Sequence, residues 1–215
     1  NYIKTNKNPT EACWPAGNCN AKDTAMALLV ESKLGLNSEE VTANDIVEWL
    51  TAHQSLASLS GAWNLQIVTQ DTGTCTLIYT KQDSSESTPI TLSVDQGKIS
   101  YGSCQDQYFF SLNSCLGTNI LDKPSTEIEV SCQSLSGADI SILYIEGNSI
   151  YLLGTPIPTR ANLKINNGFF ENKIDTLYAN WALSEANSDI NSLIYLKKNA
   201  EMKALDQSIL YFITK

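Results

Sequence analysis

All six cysteines of this 215-residue chain fall in its first 132 positions, at 13, 19, 75, 104, 115 and 132, and the last 83 residues have none. No two are spaced CxxC, and His53 is the single histidine, so the thiols lack the partners of a zinc or haem site. An even number of clustered thiols without metal ligands points to disulfides, and disulfides to an oxidising compartment: a protein secreted or displayed at a cell surface. The chain opens on Asn1 with neither Met nor an export signal, as expected of a processed or excised product.

The pairing is partly legible. Cys13 and Cys19 bracket the turn-rich Trp14-Pro15-Ala16-Gly17-Asn18 and can close on each other. Cys75 beside Leu77 and Tyr79, and Cys132 beside Ile128 and Val130, share the apolar phase of their strands, which favours a bond across a core. Cys104 and Cys115 remain. A straight strand over 107–112 would separate its own ends by roughly 20 Å, so this third pairing requires a bend or a short helical turn there.

Charged residues make up only 17% of the chain, and about 60 positions are Ser, Thr or Asn. A net charge of -9 and a pI near 4.6 repel phosphate backbones and acidic lipid headgroups, so nucleic acid is not an expected partner. No apolar run approaches the roughly 20 residues that span a bilayer.

Hydrophobic periodicity divides the rest. Residues 1–12 are polar and aperiodic, an arm expected to reach a neighbour. Over 13–60, Asp23-Thr24 opens a helix through Ala27, Leu28, Val30 and Leu34 to a stop at Gly35. Thr42 or Asn44 then caps a second, carrying Ile46, Val47, Trp49 and Leu50: an α-hairpin. From residue 61 to 155 the period is two, with turns at Asp71-Thr72-Gly73, Asp95-Gln96-Gly97 and Glu146-Gly147-Asn148 and a polar loop over 84–88. Seven or eight short strands suit an antiparallel β-sandwich. Thr155-Pro156-Ile157-Pro158 reads as a linker. Residues 156–215 carry a C-terminal α-hairpin, with Asp175-Thr176 opening its first helix and Ile190 to Leu196 in its second, and one further helix from Met202 to Ile213. The fold class is α+β, with α-hairpin repeats flanking a β-sandwich module.

Lys22-Asp-Thr-Ala-Met-Ala and Ile174-Asp-Thr-Leu-Tyr-Ala align, Ala27 matching Ala179. The hairpin AKDTAMALLVESKLG…DIVEWLTAHQ followed by Gln54, Gly61 and Trp63 resembles the repeats of the terpenoid cyclase and prenyltransferase α/α toroids. The layout is similar to the prenyltransferase and squalene-oxidase-repeat proteins of archaeal cell surfaces. That resemblance implies a toroid of hairpins carrying an inserted β module. The superfamily's chemistry does not come with it: the DxDD acid motif, the Asp, Cys and His zinc set and the CGEQ thioester segment are missing from the sequence.

Individual residues favour structural work over catalysis. His53 ends a helix, with no nucleophile-elbow sequence in the chain. Asp23 and Asp175 suit helix caps better than an acid–base pair, and Asp71 and Asp95 suit glycine turns better than calcium. Trp49, Trp63 and Trp181 follow apolar phases, whereas Trp14, lodged in the small disulfide loop, is set apart as a contact for a neighbour or a glycan. The only Asn-x-Ser/Thr sequon is the proline-blocked Asn8-Pro9-Thr10. The expectation is therefore a non-enzymatic, cofactor-free and metal-free extracellular structural protein, a cell-surface or filament subunit. Its last helix lacks a hairpin partner, and it assembles head to tail with itself or with other surface proteins. The interface residues are Tyr2, Ile3 and Trp14 at one end and Leu210, Phe212 and Ile213 at the other. A glycan- or protein-binding module and a fragment of a toroid enzyme are the alternatives.

Overall fold

The computed structural model describes residues 2–34, 41–80, 87–116, 125–188, 192–198 and 203–213. The stop expected at Gly35, most of the loop over 84–88, and Ile190 and Met202 lie outside the described residues. In chain order the elements are α1 (Tyr2–Thr5), α2 (Ala21–Leu34), α3 (Ala43–Ala52), β1 (Ser55–Leu56), β2 (Ala62–Val68), β3 (Thr72–Thr80), β4 (Ser87–Asp95), β5 (Lys98–Tyr101), β6 (Cys104–Gln107) and β7 (Phe110–Ser111). They continue with α4 (Leu112–Leu116), β8 (Ser125–Ser131), β9 (Asp139–Glu146), β10 (Ser149–Pro158), β11 (Arg160–Asn166), β12 (Gly168–Phe169), α5 (Lys173–Glu185), α6 (Leu193–Lys198) and α7 (Ala204–Ile213). The chain forms two compact units, Asn1–Ala57 with Asn166–Lys215, and Ser58–Ile165.

The first unit is helical and is built on α2 and α5. Lys22 lies over the Tyr178 ring near both N-termini, 5.2 Å from its centroid, and Lys33 is ion-paired with Glu185 near both C-termini, so the two helices run parallel. Ala25, Leu28 and Leu29 of α2 share a dry cluster with Ala179, Ala182 and Leu183 of α5 and with Ile46 and Leu50 of α3. Small alanines let the helix axes approach, and the leucines fill the space beside them. The opposite side of α5 presents Leu177 to Leu196 of α6 and Ile209 of α7. The two-residue ladder β1–β12, with Ser55 opposite Phe169, ties the two stretches of this unit together.

The second unit holds two antiparallel sheets, ordered β10-β9-β2-β7 and β11-β8-β3-β4-β5-β6. Alternation gives each one dry face: Trp63, Leu65, Ile67, Ile140, Ile142 and Tyr144 in the first, Cys75, Leu77, Leu92, Val94, Ile99 and Val130 in the second. The arrangement is sandwich-like. The β4–β5 turn needs two left-handed residues, Gln96 at φ 47° and Gly97 at φ 83°. A Cβ on Gly97 would also stand 3.1 Å from the Ile67 carbonyl oxygen, so the glycine meets both a conformational and a spatial demand.

Several expectations are corrected. The segment 155–158 is not a linker: β10 runs through both prolines, its register with β9 shifting between Leu153 and Ile157, and β11 follows in the other sheet. β10 is an edge strand, where a missing amide and a bulge are tolerated. The segment 107–112 is no straight strand and has the bend and short helical turn that the third pairing requires, because the chain leaves one sheet after β6, joins the other as β7 and coils into α4. That bend brings Cys104 and Cys115 to a Cα separation of 5.5 Å, and they are bonded. Cys75 and Cys132 are bonded as well, but between the neighbouring strands β3 and β8 of one sheet instead of across a core. Thr76 pairs with Ser131, which leaves the two cysteines facing each other with Cα atoms 4.2 Å apart.

The α/α toroid is overturned. Strands outnumber helices by twelve to seven among the described residues, α4 and α6 have five and six residues, and the described part of the C-terminal segment contains no second long hairpin. Gln54 belongs to the helical unit, whereas Gly61 just precedes β2 and Trp63 lies within it in the β unit, so the three do not form one repeat motif. With the toroid goes the reading of the chain as a fragment of a toroid enzyme.

Candidate functional site

The likeness between the two helix starts is capping chemistry. Both read Asn-x-x-Asp-Thr: Asn20 to Thr24 and Asn172 to Thr176. Asn20 Oδ1 accepts from the Asp23 amide at 2.8 Å while its Nδ2 donates to the Asp23 carboxylate at 2.8 Å. Asn172 does the same with Asp175, at 3.1 and 2.7 Å. These are reciprocal caps that satisfy first-turn amides and place a carboxylate at the positive helix end. Burial, with Glu171 adding, raises the Asp175 pKa above its ordinary value.

The threonine of each motif is fully buried and fastens the preceding loop. Thr24 Oγ1 accepts from the Trp14 amide at 3.0 Å, and Thr176 Oγ1 accepts from the Phe170 amide at 2.9 Å. Trp14 is thereby seated in the core at 5% exposure, and its indole Nε1 donates to the Ile3 carbonyl at 2.6 Å. The exposure expected of Trp14 is corrected: the disulfide loop turns the ring inward, onto α2. The arm is likewise engaged with its own chain, the Asn8 amide donating to the Cys13 carbonyl and the Ala16 amide to the Asn6 carbonyl.

Where α1, the Trp14-Pro15 loop and α2 meet there is an apolar cleft of about 150 Å³, lined by Ile3, Trp14, Pro15, Met26, Ala27 and Val30. Exposed Asp23 stands at its edge. Asp23, Met26, Ala27 and Val30 lie at i, i+3, i+4 and i+7, one stripe of α2 turned away from the Ala25, Leu28 and Leu29 stripe.

Helix α7 carries the second apolar surface. Ile209 is buried and Leu210 and Ile213 are half-buried against the Leu177 cluster, while Leu205, Tyr211 and Phe212 are exposed at 65%, 64% and 62%. Of the six residues expected at an interface, Phe212 is therefore open, Leu210 and Ile213 pack inward, Ile3 lines the cleft and Trp14 is core. The side chain of Tyr2 lies outside the described residues. Leu205 and Tyr211 were missed because a helical stripe does not say which of its edges is covered.

The β unit has an aromatic pair of its own. Tyr108 and Phe109, exposed at 54% and 41%, sit in the turn between β6 and β7 that the Cys104–Cys115 disulfide spans, with Lys98 Nζ 5.9 Å from the Tyr108 ring.

The remaining candidates have structural partners. His53 stacks on Trp49 at 3.9 Å and its Nδ1 lies 2.8 Å from the Trp49 carbonyl oxygen at the end of α3. Asp71 accepts from the Ser136 amide at 2.8 Å, and Asp95 accepts from the Thr72 hydroxyl at 2.5 Å. Glu11 lies beside Cys13 and Cys19, but both sulfurs are spent in their mutual bond and offer no thiolate to a metal. Among the described residues no helix is long and apolar enough to cross a membrane.

No family model, curated protein or solved structure matches this chain.

Proposed function

We propose that the protein is a non-enzymatic structural subunit of the extracellular or cell-surface space, which associates with copies of itself. The observation that carries this reading is the open face of α7. Leu205, Tyr211 and Phe212 expose roughly 400 Å² of side chain between them, on the scale of the largest apolar patch of a typical monomer. Such a patch on a chain that is otherwise solubilised by neutral polar side chains is a site of association. Three disulfides support the oxidising compartment. Sedimentation velocity across a concentration series tests it: a rising weight-average coefficient is expected, and a constant monomer overturns the reading.

Tyr108 and Phe109 favour a second reading, a binding module for glycan. Two aromatic rings on a disulfide-braced turn offer stacking faces for sugar rings. Binding to a glycan array that Tyr108→Ala with Phe109→Ala abolishes would support it, and an array without signal would remove it.

A further inference from the structure

We infer that Phe212 of one copy seats in the cleft of Ile3, Trp14, Met26 and Val30 on the next, giving a heterologous, head-to-tail contact. This rests on self-association as the proposed function and names its two surfaces.

The fit is one of size, chemistry, charge and placement. An apolar cavity of about 150 Å³ holds one benzene-sized ring, and the cleft has that volume and an apolar lining. On α7, Leu205, Ser208 and Phe212 lie at i, i+3 and i+7, the spacing that Asp23, Met26 and Val30 have on α2. The two stripes therefore match in length at about 10 Å. Laid side by side in the same direction, they bring exposed Lys203, just ahead of α7, toward Asp23, while the rest of the α7 stripe is uncharged. A contact of one ring in one cleft, flanked by Leu205, belongs to the class of weak interfaces, so it forms and breaks with concentration.

The two surfaces cannot satisfy each other within one copy. On α5 the residues that meet α7, centred on Leu177, are on the opposite side from Ala179, Ala182 and Leu183, which join the α2 cluster. On α2 the cleft opens between Met26 and Val30, on the side away from Ala25, Leu28 and Leu29, and its floor is Ala27 and Trp14 of that cluster. Knob and hole thus lie on different flanks of the helical unit, so a contact between them joins unlike patches of two copies and is heterologous.

The test uses the full chain and two surface variants, Phe212→Asp and Met26→Lys, each checked for native near-UV circular dichroism. Each alone is expected to weaken association at least tenfold in sedimentation equilibrium. Mixed in equal amounts they are expected to recover it, because Asp on one copy meets Lys on the other and the wild-type knob and hole pair at the alternate joint. Association that Phe212→Asp abolishes but Met26→Lys leaves intact is an α7-to-α7 contact and overturns the seating. So does association indifferent to both variants, or a mixture without recovery; in these cases self-association itself survives. A wild-type chain that stays monomeric overturns both.

Discussion

Thr24 Oγ1 accepts a hydrogen bond from the buried amide of Trp14 at 3.0 Å, and by it the disulfide loop is fixed to the first turn of α2. Thr176 repeats the arrangement on α5, accepting from the Phe170 amide and donating to the Phe170 and Asn172 carbonyls. Replacing either by valine keeps the shape and leaves a buried amide without an acceptor, at a cost of about 1–3 kcal/mol. Thermal unfolding of Thr24→Val and Thr176→Val is expected to show both losses. An unchanged Tm would remove the threonines from the account of how the two loops are held.

Two aspartates respond to pH with opposite sign. The Thr42 amide and hydroxyl hold Asp45 below its ordinary pKa in the capping box of α3, so its contribution is present above the unfolded pKa and is lost as pH falls through the folded one. Asp175 is held above its ordinary value by burial and by Glu171. The folded protein therefore binds that proton more tightly, and the contribution is full below the unfolded pKa and declines as pH rises through the folded one. Denaturant titrations between pH 2 and 7 should show Asp175→Asn removing the decline on the rising side. Asp45→Ala should lower stability at pH 7 and change little at pH 2.

The three disulfides differ in burial and in the loop they close. Cys75 and Cys132 are both fully buried and 57 residues apart, whereas Cys19 and Cys104 are half-exposed at the ends of bridges separated by 6 and 11 residues. Mild reductant under native conditions, followed by alkylation and peptide mapping, is expected to label the two short bridges first. Replacing Cys75 and Cys132 by alanine should cost the most, about 4 kcal/mol from loop closure.

Gly61 is a place where a methyl group does not fit. Its amide donates to the Tyr144 hydroxyl at 2.7 Å, and a Cβ there would stand 2.5 Å from the Ile145 carbonyl oxygen and 2.6 Å from the Tyr144 ring. Because one of these is backbone, relief requires β2 and β9 to part, so Gly61→Ala should destabilise the β unit by about 2 kcal/mol or more. Urea unfolding followed by tyrosine and tryptophan fluorescence measures it.

What the sequence disclosed was chemistry that acts over a few residues. Thr42, one of two caps offered, starts α3, and Gln96-Gly97 turns β4 into β5. Asp23-Thr24 and Asp175-Thr176 mark the first turns of the two parallel helices, although the caps are Asn20 and Asn172, three residues before each aspartate. What it hid depends on partners distant in the chain. Nothing local tells that β6 and β7 belong to different sheets, or that Pro156 and Pro158 sit on an edge where they do no harm. The inward turn of Trp14 depends on Thr24 and Ile3 together. The repeated Asp-Thr was visible, but it marked two identical caps and not two hairpins. Of the candidate surface, Phe212 could be named from its periodicity, while the cleft exists only because α1 and the disulfide loop return to α2.

Self-association is the central claim, and sedimentation velocity from micromolar to millimolar concentration, at low and moderate salt, tests it most directly. With -9 on each copy, long-range repulsion opposes approach. The weight-average sedimentation coefficient is therefore expected to rise with concentration, and to rise more steeply as salt screens that charge. A single 23.6 kDa species at every concentration and both salts would contradict the account.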